Sequence, residues 1–216
     1  MGNAGESQLR NTCFLIVSKL YLEYCKKMNI ENEKNLKLLN SIFNSYKPSY
    51  VDYENIAKSS SKILMSKTKN ASLFGMFYPY PEIQEKFIYK GKLVKDPTKC
   101  DFTYYFDNED RLLLTKRKLP QSHLALIFYY HHDSYVDFVW YMPDKNKFEI
   151  VGRMEKLDGK LYRFLESMII KKEVEAYIEY VFTSENRIIQ KQFARGILPG
   201  GKDHESVTSF SKVDGA

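Results

Sequence analysis

The chain has 216 residues, enough for one sizeable core or at most two small ones. Hydrophobic content of 44% and charged content of 28% are those of an ordinary globular protein, and the net charge of +6 is spread along the chain, unlike the concentrated basic surface of a nucleic-acid binder. Cys13, Cys25 and Cys100 are widely spaced, with no CxxC pair or Cys/His cluster, which argues against a zinc site or a disulfide framework and for a reducing compartment.

At the N-terminus the short apolar run Phe14 to Val17 meets Ser18 and Lys19, too soon for a signal-peptide core or a membrane span. MGNAGE has the glycine of a myristoylation motif but Glu6 where serine or threonine is needed. A cytoplasmic location without a membrane partner is the expectation. Residues Leu9 to Met28 place Cys13, Ile16, Val17, Leu20, Tyr21 and Tyr24 at helical spacing, closed by Lys26 and Lys27 at the negative end of the dipole. A second helix is predicted over Glu31 to Tyr46, with Leu36, Leu39, Ile42 and Phe43 as its stripe and Pro48 just beyond it. Asp52 is the expected cap of a third, Tyr53 to Lys67, although Ser59, Ser60 and Ser61 compete for its backbone hydrogen bonds. Residues 70–84 read as an aromatic loop.

From residue 86 the pattern changes to strands. Phe87 to Val94 reads as an edge strand, and Asp101 to Asp107 pairs with Arg111 to Lys118 around Asn108-Glu109-Asp110. His123 to Tyr130 is apolar on both faces, as a strand covered on both sides must be. Tyr135 to Met142 alternates cleanly: Val136, Phe138, Trp140 and Met142 share one face, and Tyr135, Asp137, Val139 and Tyr141 the other. After the turn residues Pro143 to Asn146, Lys147 to Glu155 alternates again. Asp158-Gly159 predicts a type I′ turn into Leu161 to Ile169, and Glu173 to Phe182 with Arg187 to Phe193 makes the last hairpin. Residues 195–216 are polar and glycine-rich and read as a loose tail. The expected fold is a single α+β domain over 1–216: N-terminal helices from 9–67 packed on one face, the Trp140 face, of a large antiparallel meander built from 86–194.

Candidate chemistry is sparse. Consecutive residues on a strand point apart, so His131 and His132 do not converge on one metal, and His131-His132-Asp133 reads as a polar hairpin tip. Glu175 and Glu179, four apart on a strand, lie about 13 Å from each other, beyond the roughly 5–9.5 Å of a glycosidase carboxylate pair. Lys116-Arg117-Lys118 reads as a strand end that discourages edge pairing. The sequence carries neither a nucleophile-elbow serine nor a phosphate-binding glycine loop, so no catalytic residue, cofactor or metal is assigned.

Tyr104-x-Phe106-x-x-Glu109-x-Arg111-Leu112-Leu113 recurs without gaps as Tyr180-x-Phe182-x-x-Glu185-x-Arg187-Ile188-Ile189. In these tyrosine-rich hairpins, following a helical N-terminus, the chain resembles immunity proteins of bacterial polymorphic-toxin systems over roughly residues 100–195. The resemblance implies a non-enzymatic inhibitor that covers a toxin domain. Its basic charge departs from the acidic, nucleic-acid-mimicking members, which implies an acidic or non-nuclease partner. The expected contact surface is the opposite, open sheet face, displaying Tyr135, Asp137, Tyr141, Arg153, Glu175, Tyr177 and Glu179, since tyrosine and arginine carry much interface energy. Two other readings stay open: a nucleic-acid-binding module stacking bases on aromatic strands, and an enzyme whose site follows no motif.

Overall fold

The structure is a computed structural model that describes residues 28–68, 91–158, 160–168, 173–183, 187–198 and 202–211. The helix expected over residues 9–28 and the aromatic loop 70–84 lie outside them, apart from Met28. The chain divides into two compact units, Met1–Leu38 and Leu39–Ala216. In the first, residues 28–38 are helical, with Asn32, Asn35 and Leu36 buried.

The second unit contains the rest of that helix (α1, 28–45), the helix α2 (Tyr50–Ser59) and, among the described residues, eleven strands. These are β1 (Lys62–Thr68), β2 (Gly91–Leu93), β3 (Phe102–Phe106), β4 (Leu112–Lys118), β5 (Leu124–His131), β6 (Tyr135–Met142), β7 (Lys147–Leu157), β8 (Lys160–Met168), β9 (Ala176–Phe182), β10 (Arg187–Leu198) and β11 (Lys202–Ser211). All pairings are antiparallel, in the order β11-β10-β9-β8-β7-β6-β5-β4-β3-β1-β2. The α+β class and the large antiparallel sheet agree with the alternation in the sequence.

Two local predictions need correction. The helix expected over Tyr53 to Lys67 starts earlier and stops at Ser59, and Ile63 and Leu64 belong to β1. Ser49, not Asp52, is the cap: its Oγ accepts from the Asp52 amide at 3.3 Å, while Asp52 Oδ2 accepts from the Ser49 amide at 2.7 Å, a closed capping box. At the other end Ser60 Oγ donates to the Ile56 carbonyl at 2.6 Å, so the serine run supplies the competing bonds that end the helix. The expected loose tail is also replaced by structure, because residues 202–211 form β11 against β10. That strand is polar on both sides, as an edge strand tolerates, and so carries no apolar alternation to betray it.

Turn chemistry fixes the register of the central hairpins. Asp158 adopts φ 51° before Gly159, and Asn146 adopts φ 45° after the Pro143–Lys145 turn; aspartate and asparagine tolerate this left-handed conformation best after glycine. Bulges between Trp140 and Tyr141 and between Glu155 and Lys156 let the long strands twist without losing their pairing.

The sheet has an apolar cluster on each side. One gathers Phe102, Tyr104, Phe106, Ala125, Ile127, Tyr129, Val136, Phe138, Trp140, Met142, Met154, Phe164 and Phe182. Gly152 belongs here because a Cβ would run into the Phe138 ring and the Leu165 carbonyl. The other cluster gathers Tyr105, Leu114, Leu126, Phe128 and Tyr141 around Tyr53 of α2. Phe43 meets Phe148 edge-on at 6.2 Å, and Tyr46, just past α1, stacks on Tyr130 at 3.9 Å. Asn40 forms a two-way amide bond with the Val174 backbone, donating at 3.2 Å and accepting at 3.0 Å. These helical contacts fall on the side of Asp137 and Tyr141. The expectation that put helices against Trp140 and left the Asp137 side open is therefore reversed for α2.

Candidate functional site

Cross-strand register brings the polar residues of the Asp137 face into rows. Asp137 lies opposite Arg153, Arg153 opposite Leu165, and Leu165 opposite Glu179; one step along, Tyr135, Glu155, Arg163 and Val181 form the next row. Both carboxylates at the ends of the first row are buried, Asp137 at 2% exposure and Glu179 at 1%. Each has found its own cation. Arg153 grips Asp137 with Nε at 2.7 Å and Nη2 at 3.0 Å, a bidentate pair of the strong kind. Burial alone would depress Arg153, but the Asp137 hydrogen bond and charge, helped by Tyr135 and Glu155, leave it raised above its ordinary value. Glu179 pairs with Arg163 Nε and, at 3.4 Å, with Lys191 Nζ; Arg163 also reaches Glu155 at 3.4 Å.

Tyr135 lies beside this network, with the Arg153 guanidinium 3.7 Å from its ring centre and the His132 ring stacked on it at 4.3 Å. The Tyr46 hydroxyl sits between Asp137 Oδ2 at 3.4 Å and His132 Nε2 at 3.0 Å. Burial and the Asp137 charge both raise Tyr46 above its ordinary value, so it stays a neutral hydroxyl. Beside this group a pocket of about 390 Å³ is lined by Tyr46, Arg111, Leu113, Tyr129, Tyr130, His131 and His132. His131 Nε2 donates to the Leu112 carbonyl at 2.8 Å, and burial lowers its basicity, so this imidazole is neutral at pH 7. Arg111 at the rim is held by Asp107 at 2.7 Å and Glu109 at 3.2 Å.

The seven residues expected to form one open patch are thus divided. Tyr135, Asp137 and Arg153 come together beside the pocket, with Asp137 buried beneath the other two. Glu179 belongs to the adjoining Arg163 network. Tyr141 is buried at the far end, donating its hydroxyl to Asn146 Oδ1 at 3.0 Å, and Tyr177 is buried against Phe193. Glu175 is half-buried, with its carbonyl accepting from the Arg195 amide. Four of the seven side chains are therefore buried, and the patch as a flat exposed surface does not exist. Tyr46, His132 and Arg163 join the site without being expected there. Arg163 carries no readable signal, since the Asp158-Gly159 turn alone would set Tyr162 opposite Glu155, and only the bulge between Glu155 and Lys156 brings Arg163 there. Tyr46 carries none because it comes from a helix end remote in sequence.

Among the described residues no cluster of three or more His, Cys, Asp or Glu side chains forms a metal site, and no helix is long and apolar enough to cross a membrane. Comparison of the chain with protein-family models, with curated proteins and with solved structures finds no match.

Proposed function

We propose that the chain is a non-enzymatic protein-binding inhibitor, of the kind that an immunity protein represents, and that a toxin domain is its partner. The pocket at the end of β5 carries this reading. Tyrosine rings wall it, Arg111 stands at its rim, and Tyr135 with Arg153 extends the same chemistry outward. Aromatic anchors beside arginine, on strands held rigid by buried ion pairs, are the composition from which interface hot spots are made. A partner side chain entering the pocket would be desolvated against Tyr46 and Tyr130. Asp137 and Glu179 hold the scaffold and do not meet the partner.

The test is to read the genes flanking this one for a toxin domain and to co-express that domain with the chain, scored by growth and by calorimetric titration of the purified pair. Neutralisation is expected, and Arg111→Glu should weaken binding at least about 30-fold, the equivalent of about 2 kcal/mol. Absence of rescue together with absence of binding sinks the reading, as does a steep salt dependence of binding to nucleic acid.

One contact favours a second reading. Tyr46, His132 and Asp137 form a hydrogen-bonded chain at the pocket wall, the arrangement general acid–base chemistry uses. Against it, Asp137 already accepts two bonds from Arg153. His132→Gln distinguishes the two: it abolishes an enzyme's turnover, whereas an inhibitor anchored on Arg111 and the tyrosines loses affinity but still neutralises at excess.

A further inference from the structure

Lys116-Arg117-Lys118 forms a basic run on β4, and the strand sends its members to opposite sides. Lys116 Nζ donates to the Tyr53 hydroxyl at 3.1 Å on the Asp137 face, and Lys118 Nζ donates to the Pro97 carbonyl at 2.8 Å. Arg117 turns the other way. Its guanidinium carbon stands 5.4 Å from the centre of the Phe102 ring and 5.6 Å from that of Trp140. Half-buried there, it forms no ion pair or hydrogen bond with any described residue, and Asp101 acts on it through space only. Ala125 lies directly opposite Arg117 in register, and Trp140 lies opposite Ile127 two residues further along. The small alanine leaves the guanidinium room to lean across β5 towards the indole.

Trp140 adds a second unmet donor. The side chain is 5% exposed, and its Nε1–H is closed off from solvent with no acceptor among the described residues. Buried donors are nearly always bonded, and the exceptions tend to mark a missing ion or a functional site. Here a cation with five N–H groups and an indole N–H stand together, and no acceptor among the described residues is bonded to either. The guanidinium carbon lies within 6 Å of both ring centres, and its N–H groups, bonded to no described residue, match the paired oxygens of a carboxylate or phosphate.

We infer that Arg117 and Trp140 form a binding site for a small oxyanion, a carboxylate or a phosphate, on the Trp140 face of the sheet. Arg117 supplies the charge and the bidentate fork; the Trp140 indole N–H supplies a third donor once the guanidinium rotates to admit the ligand. Phe102, with its ring centre 5.4 Å from the guanidinium carbon, offers an apolar flank to the ligand's body. The inference is independent of the protein-binding reading, because it uses the opposite face and none of the pocket residues.

Trp140 is the sole tryptophan of the chain, so it reports on its own site. The experiment titrates the full chain with sodium phosphate and, separately, sodium acetate, with sodium chloride making up constant ionic strength, and follows tryptophan fluorescence. A saturable change with phosphate, acetate or both, absent with chloride alone, is expected, and the responding arm identifies the oxyanion. Arg117→Met, which keeps the apolar stem over the rings, should abolish the response. Arg117→Lys, a cation without the fork, should weaken it at least tenfold. If Arg117→Met does not fold, the anion-dependent rise in melting temperature of the parent, and its loss in Arg117→Lys, decides the matter. No saturable response to either anion, or an unchanged response in the arginine variants, overturns the site.

Discussion

The two faces of the sheet treat buried charge differently. On the Asp137 face, each buried carboxylate has an arginine on the neighbouring strand, directly opposite or one row along, and the pairs close across the ladder: Asp137 with Arg153, Glu179 with Arg163 and Lys191. On the Trp140 face, buried hydroxyls bond one another, Ser66 with Tyr104 at 2.9 Å and Thr115 with Tyr129 at 3.2 Å, but no ion pair closes across the ladder around Glu166 or Arg117 among the described residues. Trp140 Nε1 and Glu166 Oε2 have no hydrogen-bond partner among the described residues, and the Arg117 guanidinium has ring faces for company in place of a carboxylate. The same antiparallel register serves both sides, so geometry does not explain the difference. Composition does. One face received acids and bases at matched rows; the other received aromatics and paired hydroxyls, with a lone carboxyl and a lone guanidinium among them. A face whose charges are paired is a scaffold, although Glu179 Oε2 there has no hydrogen bond among the described residues and only the Lys191 ammonium at 3.4 Å, and a face with unmet donors keeps capacity for something from outside.

The largest test of this contrast removes one member of a closed pair. Glu179→Ala takes the buried carboxylate from Arg163 and Lys191, leaving Arg163 the Glu155 carboxylate at 3.4 Å, and denaturant titration should register a loss of about 3 kcal/mol, the lower end of what breaking a buried ion pair costs. A loss below about 1 kcal/mol would mean that this network behaves as a surface pair and that the contrast is false.

Next in size is the single carboxyl of the other face. Burial pushes Glu166 up to about 7 from an ordinary glutamate value of 4.5. Because the folded state holds its proton more tightly than the unfolded state does, stability from this group is fullest below the ordinary carboxylate range. It declines as pH rises towards 7 and levels off above that. The decline is on the order of 3 kcal/mol, the free energy that separates two such proton affinities. Glu166→Gln should flatten that slope and raise the melting temperature above that of the parent at pH 8, while changing little at pH 4. Unaltered pH dependence in this variant would assign the slope to other groups.

The smallest effect is Tyr46→Phe, which keeps the stack on Tyr130 and deletes only the hydroxyl between Asp137 and His132. Since Arg153 still holds Asp137, the cost should be about 0.5–1.5 kcal/mol. A cost of several kcal/mol would show that Asp137 depends on the tyrosine more than on its arginine.

Strand identity is legible in the sequence, and sidedness only half so. β6 has the bounds that the alternation predicts, Tyr135–Met142, because each second residue there changes polarity. Tyr135, Asp137 and Arg153 share a face for the same reason. Which face lies open does not follow from β6 alone, and β5 carries the warning: Leu126 and Phe128 share a side with Tyr141 and Val139, so that side too has apolar area to bury. Helix α2 is shorter than its apolar spacing suggests because Ile63 and Leu64 fit a helical stripe as well as a strand, and the period of so short a run does not separate them. Tyr46 and His132 meet through the path of a connection and a turn, which no periodicity encodes.

From β4 to β10 each strand is hydrogen-bonded to the strands just before and just after it in the chain. Among the described strands that rule is broken only at the far edge, where β1 sits between β2 and β3. Neighbours in sequence being neighbours in space means short loops to close, and low contact order is the condition for fast folding in a class that is otherwise slow. A chain emerging from the ribosome would find a template for each new strand already waiting in the one before it, so the sheet would lengthen by accretion at one edge. Among the described strands β11 lies at the edge of the sheet, and its acidic and hydroxyl side chains, with Val207 the exposed exception, give that edge a surface that does not invite another molecule to continue it.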